Sequence, residues 1–466
     1  ISNSDKTIEI WFNELRAVGF DNKGGWAAVL NADANLADVM DVSLAGRMST
    51  IGFGSVEDRV QQRSIEEIKE YSVATNVQLG KMMPQNWNMQ IPMSYSYGEE
   101  FRDPKYDPQF QDVKLADALD KNPNSKNSQD YTRRKSISFI NVKKNKNPKS
   151  KKKPKFYDVE NISVSYAHNE EFHKDYNIEK FENKNVMAGA SYNFTFKPFV
   201  IEPFKKSKTF KNKYWRFIKD LNFNPVPKTI ALNSRINRNY NSQQSRNLIE
   251  GLTAQPELTQ RRFLFNWDYT IGFDLTKSLQ LNFNATNNHI YDSFGEEELE
   301  IYDKFFTVGR PDNYHQKLNG TYKLPLKKFP FLNFLSADYG YTADFDWKAS
   351  SQSNLTLPNG QDVSYVDVVG NMIQNANTHS FNTNIDFGRL YKTLGIKKLL
   401  LKGAKKQPVK NGASNQKSKL KKNASFGQKV MKGMYDVLTS VKRAKISYSE
   451  NNGTLLQGYK TSVGFL

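Results

Sequence analysis

Side chains able to do chemistry are few in this chain and widely scattered. Five histidines, His168, His173, His289, His315 and His379, could each serve as a general base or a metal ligand near neutral pH. None stands in a ligand spacing such as His-x-x-x-His. They fall in separate hairpins, His168 on a strand and the others near strand ends, so solvated or lumen-lining imidazoles are expected. The acidic run Glu296, Glu297, Glu298 and Glu300 has carboxylates enough for calcium. It lacks the Asp-rich twelve-residue loop with its central glycine, and reads as a solvated acidic loop. There is no Gly-x-Ser-x-Gly elbow, no Walker-type phosphate loop and no cysteine, hence no thiolate site and no disulfide framework. No catalytic residue, metal site or cofactor is expected, and the chain is not expected to be an enzyme.

The elements that would carry any site announce themselves by a period of two. In "RRFLFNWDYTIGFDLTKSLQLNFNAT", every second residue from Phe263 to Leu275 is bulky and apolar, namely Phe263, Phe265, Trp267, Tyr269, Ile271, Phe273 and Leu275. Between them stand Leu264, Asn266, Asp268, Thr270, Gly272 and Asp274. Alternation of this kind predicts an extended strand with one apolar and one wet face, favoured by aromatic and β-branched residues. The pattern returns from Trp26 through Leu30 to Leu36, with Asn31, Asp33 and Asn35 interleaved, and from Leu335 to Trp347. About fifteen such segments are expected, many near the nine to eleven residues that cross a bilayer at a steep tilt. A lipid-facing set follows: Trp26, Leu30, Phe263, Phe265, Trp267, Tyr269, Ile271, Phe273, Tyr339, Tyr341, Phe345 and Trp347. The facing lumen set is Asn31, Asp33, Asn35, Asn266, Asp268, Asp274, Asp338, Asp344 and Asp346.

Composition narrows what the apolar face can meet. Only 38% of the 466 residues are hydrophobic, mean hydropathy is −0.70, and no apolar run approaches the 18 or so residues of a membrane helix. The fold expected is all-β, a transmembrane antiparallel barrel or an arc of one, spanning 1–466 as one segment, with a few short helices. The lack of cysteine suits a bacterial envelope protein, and the outer membrane is the expected location. Residues 1–16 lack a charged n-region followed by an apolar h-region, and an internal piece of a longer protein is expected.

Connections are expected to alternate in length and charge. Long, often acidic extracellular loops are assigned to 52–69, 101–131, 171–184, 242–260, 295–311 and 351–376. Basic periplasmic connections are assigned to 143–157, 199–227 and 390–442, which carry net +8, +5 and +13; together they exceed the +19 of the whole chain, so the remainder is net −7. The runs "KKNKNPKSKKKPK" and "KKQPVKNGASNQKSKLKK" have no interleaved aromatics, which argues against nucleic acid and for solvated loops or attraction to anionic phospholipid. In "KYWRFIKDL", Tyr214, Phe217, Ile218 and Leu221 fall at i, i+3, i+4 and i+7, as in a short helix lying in the headgroup layer or on the barrel rim. In "GSVEDRVQQR", Ser55 with Asp58 resembles a capping box with Val56 and Val60 on one face, and predicts a helical outer loop.

Four stretches, "WFNELRAVGFDNKGGWAA", "STIGFGSVEDRVQQR", "QIPMSYSYGEEFRDPKYDPQFQDVKL" and "LNFNPVPKTIALNSRINRNYN", resemble the SprA/Sov family in the same order. That family is the outer-membrane translocon of the type IX secretion system of Bacteroidetes, serving gliding motility in some members. The resemblance implies passage of folded cargo with C-terminal sorting domains through a very wide lumen. It also implies a PorV-type barrel partner, a periplasmic plug protein, and contact with membrane lipids and lipopolysaccharide. No catalytic residue comes with it. A passive porin, or a nutrient or lipopolysaccharide transporter, is the alternative the strands alone leave open.

Overall fold

The computed structural model describes all residues except 1–22, 60–61, 122–127, 148–149, 208–214, 250–251, 295–298, 359, 397–425 and 463–466. The first strands are β1 (Ala27–Leu36), β2 (Met40–Ser49), β3 (Glu66–Gln78), the two-residue β4 (Met89–Gln90), β5 (Pro92–Pro104), β6 (Asp130–Lys144), β7 (Ile162–Lys174), β8 (Ile178–Thr195) and β9 (Thr229–Ser245). They are followed by β10 (Leu258–Phe273), β11 (Leu279–Tyr291), β12 (Arg310–Leu324), β13 (Leu335–Lys348), the small hairpin β14 (Asn354–Thr356) and β15 (Asp362–Ser364), then β16 (Asn371–Asp386) and β17 (Arg443–Tyr459). Fifteen strands make one sheet in the order β1-β2-β3-β5-β6-β7-β8-β9-β10-β11-β12-β13-β16-β17, with β4 beside β6. Neighbours follow the chain, as in an up-and-down antiparallel wall. Helices are short: α1 (Leu115–Lys121), α2 (Arg216–Lys219), α3 (Tyr365–Val369), α4 (Phe387–Thr393) and α5 (Phe426–Leu438). Among the described residues no helix is long and apolar enough to cross a membrane.

Proline placement shows why these segments can pair. Pro92 and Pro104 terminate β5, and Pro311 sits in β12 where the register with β11 shifts at Asn288/His289. A residue without an N–H is tolerated at strand ends and irregularities, and not in mid-ladder. The β1–β2 connection is three residues, closed by Val39 N–H donating to the Leu36 carbonyl at 3.2 Å with Ala37 at φ +50°.

Several bounds differ from the sequence expectation. The assigned loop 171–184 is mostly strand, because β7 runs to Lys174 and β8 starts at Ile178. Asp175 makes the tight turn between them, its Oδ1 accepting from Asn177 N–H at 2.8 Å and Ile178 N–H at 2.6 Å. The described residues after Ser55 form turns, where a helix was expected: Ser55 N–H donates to Asp58 Oδ2 at 2.6 Å, and Gln62 N–H donates to the Arg59 carbonyl at 2.8 Å. Val60 lies outside the described residues.

Two compact units are distinguished, residues 1–142, 165–187 and 238–261 in the first, and 143–164, 188–237 and 262–466 in the second. The second contains a buried cluster of Ala285, Tyr314 and Trp347, with Tyr269, Phe283 and Phe345 against it.

Candidate functional site

Directly opposed residues of an antiparallel pair project from the same face, so the register fixes which side chains share a surface. In the first unit, Leu30, Ala32 and Ala34 of β1 stand opposite Gly46, Leu44 and Val42 of β2. Leu44 and Val42 stand opposite Val73 and Thr75 of β3, which in turn face Tyr97 and Tyr95 of β5. Tyr95 and Met93 continue to Ile137 and Phe139 of β6. This row is apolar and open, with Trp26 at 55% and Leu30 at 66% exposure. The opposite parity is polar. Asn31, Asp33 and Asn35 stand opposite Ala45, Ser43 and Asp41, the Ser43 hydroxyl donates to Asp33 at 2.6 Å, and the Asn35 amide donates to Asp41.

One carboxylate breaks into the apolar row of this unit near the end of β5. Glu99 accepts from the hydroxyls of Tyr71, Tyr97 and Tyr131, the last at 3.0 Å. Phe101 packs on Tyr131 at 4.9 Å, and Tyr131 on Phe172 at 6.1 Å. Rings with polar tips suit a boundary between apolar and aqueous media, and their tips satisfy the carboxylate.

The second unit repeats the plan. Phe263, Phe265, Trp267, Tyr269, Ile271 and Phe273 share one face of β10, opposite Tyr291, His289, Asn287, Ala285, Phe283 and Leu281. Tyr339, Tyr341, Phe345 and Trp347 lie on the matching face of β13, opposite Tyr322, Gly320, Gln316 and Tyr314 of β12. Two of these expected lipid-facing residues are not open to any solvent. Phe263 is 1% exposed with Phe294 edge-on at 5.3 Å, and Trp347 is 2% exposed with its indole N–H donating to the Thr461 carbonyl at 3.3 Å. Both are covered by residues lying beyond the end of another strand, Phe294 after β11 and Thr461 after β17, which alternation cannot reveal.

The other face of this unit holds the expected lumen residues in partnered form. Asp346 pairs with His315 at 2.6 Å and Asp344 with Lys317 at 3.1 Å. Asp268 accepts from Asn233 at 2.7 Å, and Asp338 from Asn382 at 3.3 Å. Asn266 lies opposite Asn288. Asp274 lies just past β10 and pairs with Lys228 at 3.0 Å.

The histidines all lie on strands: His173 and His289 fall near strand ends as expected, whereas His315 and His379 lie well inside β12 and β16, and His168 shares β7 with His173, which corrects their placement in separate hairpins. His173 meets the Thr132 hydroxyl at 2.9 Å, His379 the Tyr339 hydroxyl at 2.6 Å, and His289 stacks on Trp267 at 4.5 Å. Among the described residues no group of three or more His, Asp or Glu side chains could hold a metal ion. Glu296, Glu297 and Glu298 lie outside the described residues.

Sequence reasoning missed the break in the apolar row at β16 and β17. Opposite Trp347, Phe345, Ala343 and Tyr341 come Ile373, Asn375, Asn377 and His379, and opposite these come Leu456, Thr454, Asn452 and Glu450. A groove of about 690 Å³ lies along this border, between Phe283, Leu318, Tyr341 and Phe345 on one side and Asn375, Asn377 and Asn452 on the other. The available signal was Asn and Thr on both parities of "NMIQNANTHSFNTNID".

One strand end of the second unit carries an ordered basic connection. Ile201 and Phe223 bridge, Asn224 N–H donates to the Leu275 carbonyl at 2.8 Å, and Lys277 N–H donates to Asn222 Oδ1 at 2.7 Å. Glu202 takes the ammonium groups of Lys277, at 2.6 Å, and Lys205, at 2.5 Å; these two hold its carboxyl down at about 2. The expected helix is the single turn α2: Phe217 packs on Phe329 with ring centroids 4.9 Å apart, and Asp220 pairs with Lys328 at 3.1 Å. Its described part therefore packs on the strand-end turns; Ile218 is half-buried, Leu221 is exposed, and Tyr214 lies outside the described residues.

A long-stranded antiparallel sheet, apolar on one face and polar on the other, defines the wall of a β-barrel class of protein. Residues 1–119, about a quarter of the chain, match the family model SprA_N, described as motility related/secretion protein, so this part of the chain is similar to that family. No curated protein matches the chain. A solved structure that matches is the closed form of the ferric-catecholate import receptor Fiu from K12 E. coli, 10% identical, with a TM-score of 0.28. The match covers 78% of this chain and 62% of the receptor, so the chain spans less than two thirds of that protein's length.

Proposed function

We propose that the chain forms part of the wall of an outer-membrane, protein-conducting channel, its apolar row against lipid and its polar row along a lumen. The observation that carries this reading is the two-faced register over strands of up to 18 residues. A soluble sandwich would bury the apolar row beneath a second sheet about 10 Å away. The exposed Trp26, Leu30 and Leu44 have no such cover among the described residues. The family description, motility related/secretion, favours export; the type IX route and a part in gliding motility are what the resemblance to the SprA/Sov family implies. Cargo would be folded proteins with C-terminal sorting domains, and the wall would act by passage and orientation, without a cofactor. The basic connections would face the periplasm, where anionic headgroups attract them.

The polar stretch of β16 and β17 supports a protein neighbour at that point of the wall, because Glu450 and three asparagines facing hydrocarbon would be costly. A PorV-type barrel partner fits there, and a periplasmic plug protein would close the lumen. The test is depletion of the protein in cells. Folded cargo should accumulate in the periplasm while uptake of small solutes is unchanged. Normal secretion with impaired uptake would instead assign a porin, or a nutrient or lipopolysaccharide transporter.

A further inference from the structure

A cleft of about 960 Å³ opens at the long-connection end of the first unit, between the start of β3, the end of β5 and α1. Its position relative to the apolar row follows from the register. Tyr71 opposes Glu99, Lys69 opposes Phe101 and Glu67 opposes Asp103, so Glu67 and Asp103 continue the apolar row beyond its ring of tyrosines. Lys174 continues the β7 parity that puts Phe172 on Tyr131, and its ammonium lies 5.7 Å from the centre of the Tyr131 ring. The cleft therefore starts where the aromatic boundary ends, on the face assigned to lipid.

Its lining is cationic and amphipathic. Lys23, Arg63, Lys105, Lys114 and Lys174 contribute five positive charges, against Glu67, Asp103 and Asp120. Glu67 is already taken by Lys69 at 2.8 Å. Among the described residues, Lys23, Arg63, Lys114 and Lys174 enter no ion pair. Ile51, Ile65, Pro104, Leu115 and Leu119 make the apolar part of the wall. The walls are held together by backbone: Lys105 N–H donates to the Ile65 carbonyl at 2.8 Å, and Leu115 N–H donates to the Lys105 carbonyl at 3.0 Å. Leu115 and Ala118, both buried, anchor α1. A preformed cleft whose lining carries more cations than carboxylates, beside apolar side chains, suits a ligand that is anionic at one end and greasy at the other.

We propose that this cleft binds a phosphorylated amphiphile of the outer leaflet, the phosphate held by Lys114, Lys174 and Arg63 and the first part of the acyl chains lying on Ile65, Leu115 and Leu119. The proposal rests on the assignment of the apolar row to lipid and of the long connections to the cell exterior. The lipid A moiety of lipopolysaccharide is the phosphorylated amphiphile of that leaflet, and it is the probe to use. Inorganic phosphate has the same anionic chemistry without the chains.

The test is native mass spectrometry of the full protein in an uncharged detergent, with added diphosphoryl lipid A or inorganic phosphate. One lipid A should be retained, inorganic phosphate at millimolar concentration should fail to displace it, and Lys114→Met with Lys174→Met should weaken retention at least tenfold. Lys114→Arg with Lys174→Arg should restore retention, which separates lost charge from lost folding. Displacement by inorganic phosphate, equal retention by the Met variant, or no retention at all would overturn the site. A protein that stays soluble with no detergent would instead overturn the lipid-facing assignment, and that is read on the same sample before lipid is added.

Discussion

At the scale of single residues, the sharpest consequence of the register is that chain neighbours in β10 lie on opposite faces of the sheet, which the proposed channel would set against opposite media. Ile271 stands opposite Phe283 in the aromatic row, while Thr270 stands opposite Asn284 in the polar row. Ile271→Arg should cost roughly 2 to 4 kcal/mol if it lies near the bilayer midplane, and Thr270→Arg far less, measured by denaturant unfolding in lipid vesicles. Equal costs would sink the assignment of faces. A second residue-scale outcome concerns Glu202, which lies in the basic connection, outside the strands. Its pairing with Lys205 and Lys277 lowers its carboxyl from an ordinary 4.5 to about 2. A depressed carboxyl contributes stability that is present above the ordinary value and lost as pH falls through the depressed one. The stability gap between the native protein and Glu202→Gln should therefore be full at pH 6, shrink below about pH 4.5 and vanish near pH 2. A gap that is constant with pH would show that Lys205 and Lys277 do not hold the carboxylate in solution. Alternation made the side of each strand residue legible, but the partners were not: neither His315 with Asp346 nor Glu99 with three tyrosines can be seen until neighbouring strands are placed in register.

At the scale of elements, strand existence was legible, and so were long connections such as those between β5 and β6 and between β11 and β12, but the connection between β7 and β8 was not. Period-two stretches such as Trp26–Leu36 and Leu335–Trp347 became β1 and β13 because pleated pairing requires that period. The supposed loop 171–184 was misread because Glu170, Glu171, Lys174, Glu179, Lys180 and Glu182 look like solvated loop composition. In the sheet several of them are ion-paired strand residues, Arg133 with Glu170 at 2.8 Å and Lys184 with Glu182 at 2.8 Å. A polar face of a wall and a solvated loop share one composition, so only pairing tells them apart. The segment 199–227 is net basic, and yet its described part is pinned to two turns by Asn222, Asn224 and Asp220. The sidedness of these connections can be measured directly, because the chain has no cysteine of its own. A cysteine from Ser150→Cys should stay unlabelled by an impermeant maleimide on intact cells, whereas one from Gln352→Cys should react. Labelling of the first and protection of the second would turn the wall over.

At the scale of the whole molecule, the magnitude that separates a protein channel from a porin is circumference. Strands about 4.8 Å apart and tilted about 40° each occupy roughly 6.3 Å of wall. The sheet has fifteen strands, of which β4 lies off the path, so the chain supplies fourteen wall positions. Closed on themselves, these would make a ring about 28 Å across between backbones, and inward side chains would leave room for small solutes only. A folded domain of about 100 residues has a radius of gyration near 13 Å, hence a diameter of roughly 34 Å. It does not fit. A wall of about 36 strands, the size of the largest known barrels, would be roughly 70 Å across and leave about 50 Å after side chains, which admits the same domain. The channel reading therefore requires that β1 and β17, the two ends of the strand order, be continued by further strands, since an unpaired edge in hydrocarbon leaves its N–H and C=O groups unsatisfied. In planar bilayers the complete protein, freed of its plug, should conduct many times more than a porin and pass folded domains of about 100 residues. A porin-sized conductance from a wall closed by these fourteen strands alone would exclude folded-protein export, and a passive channel would take its place.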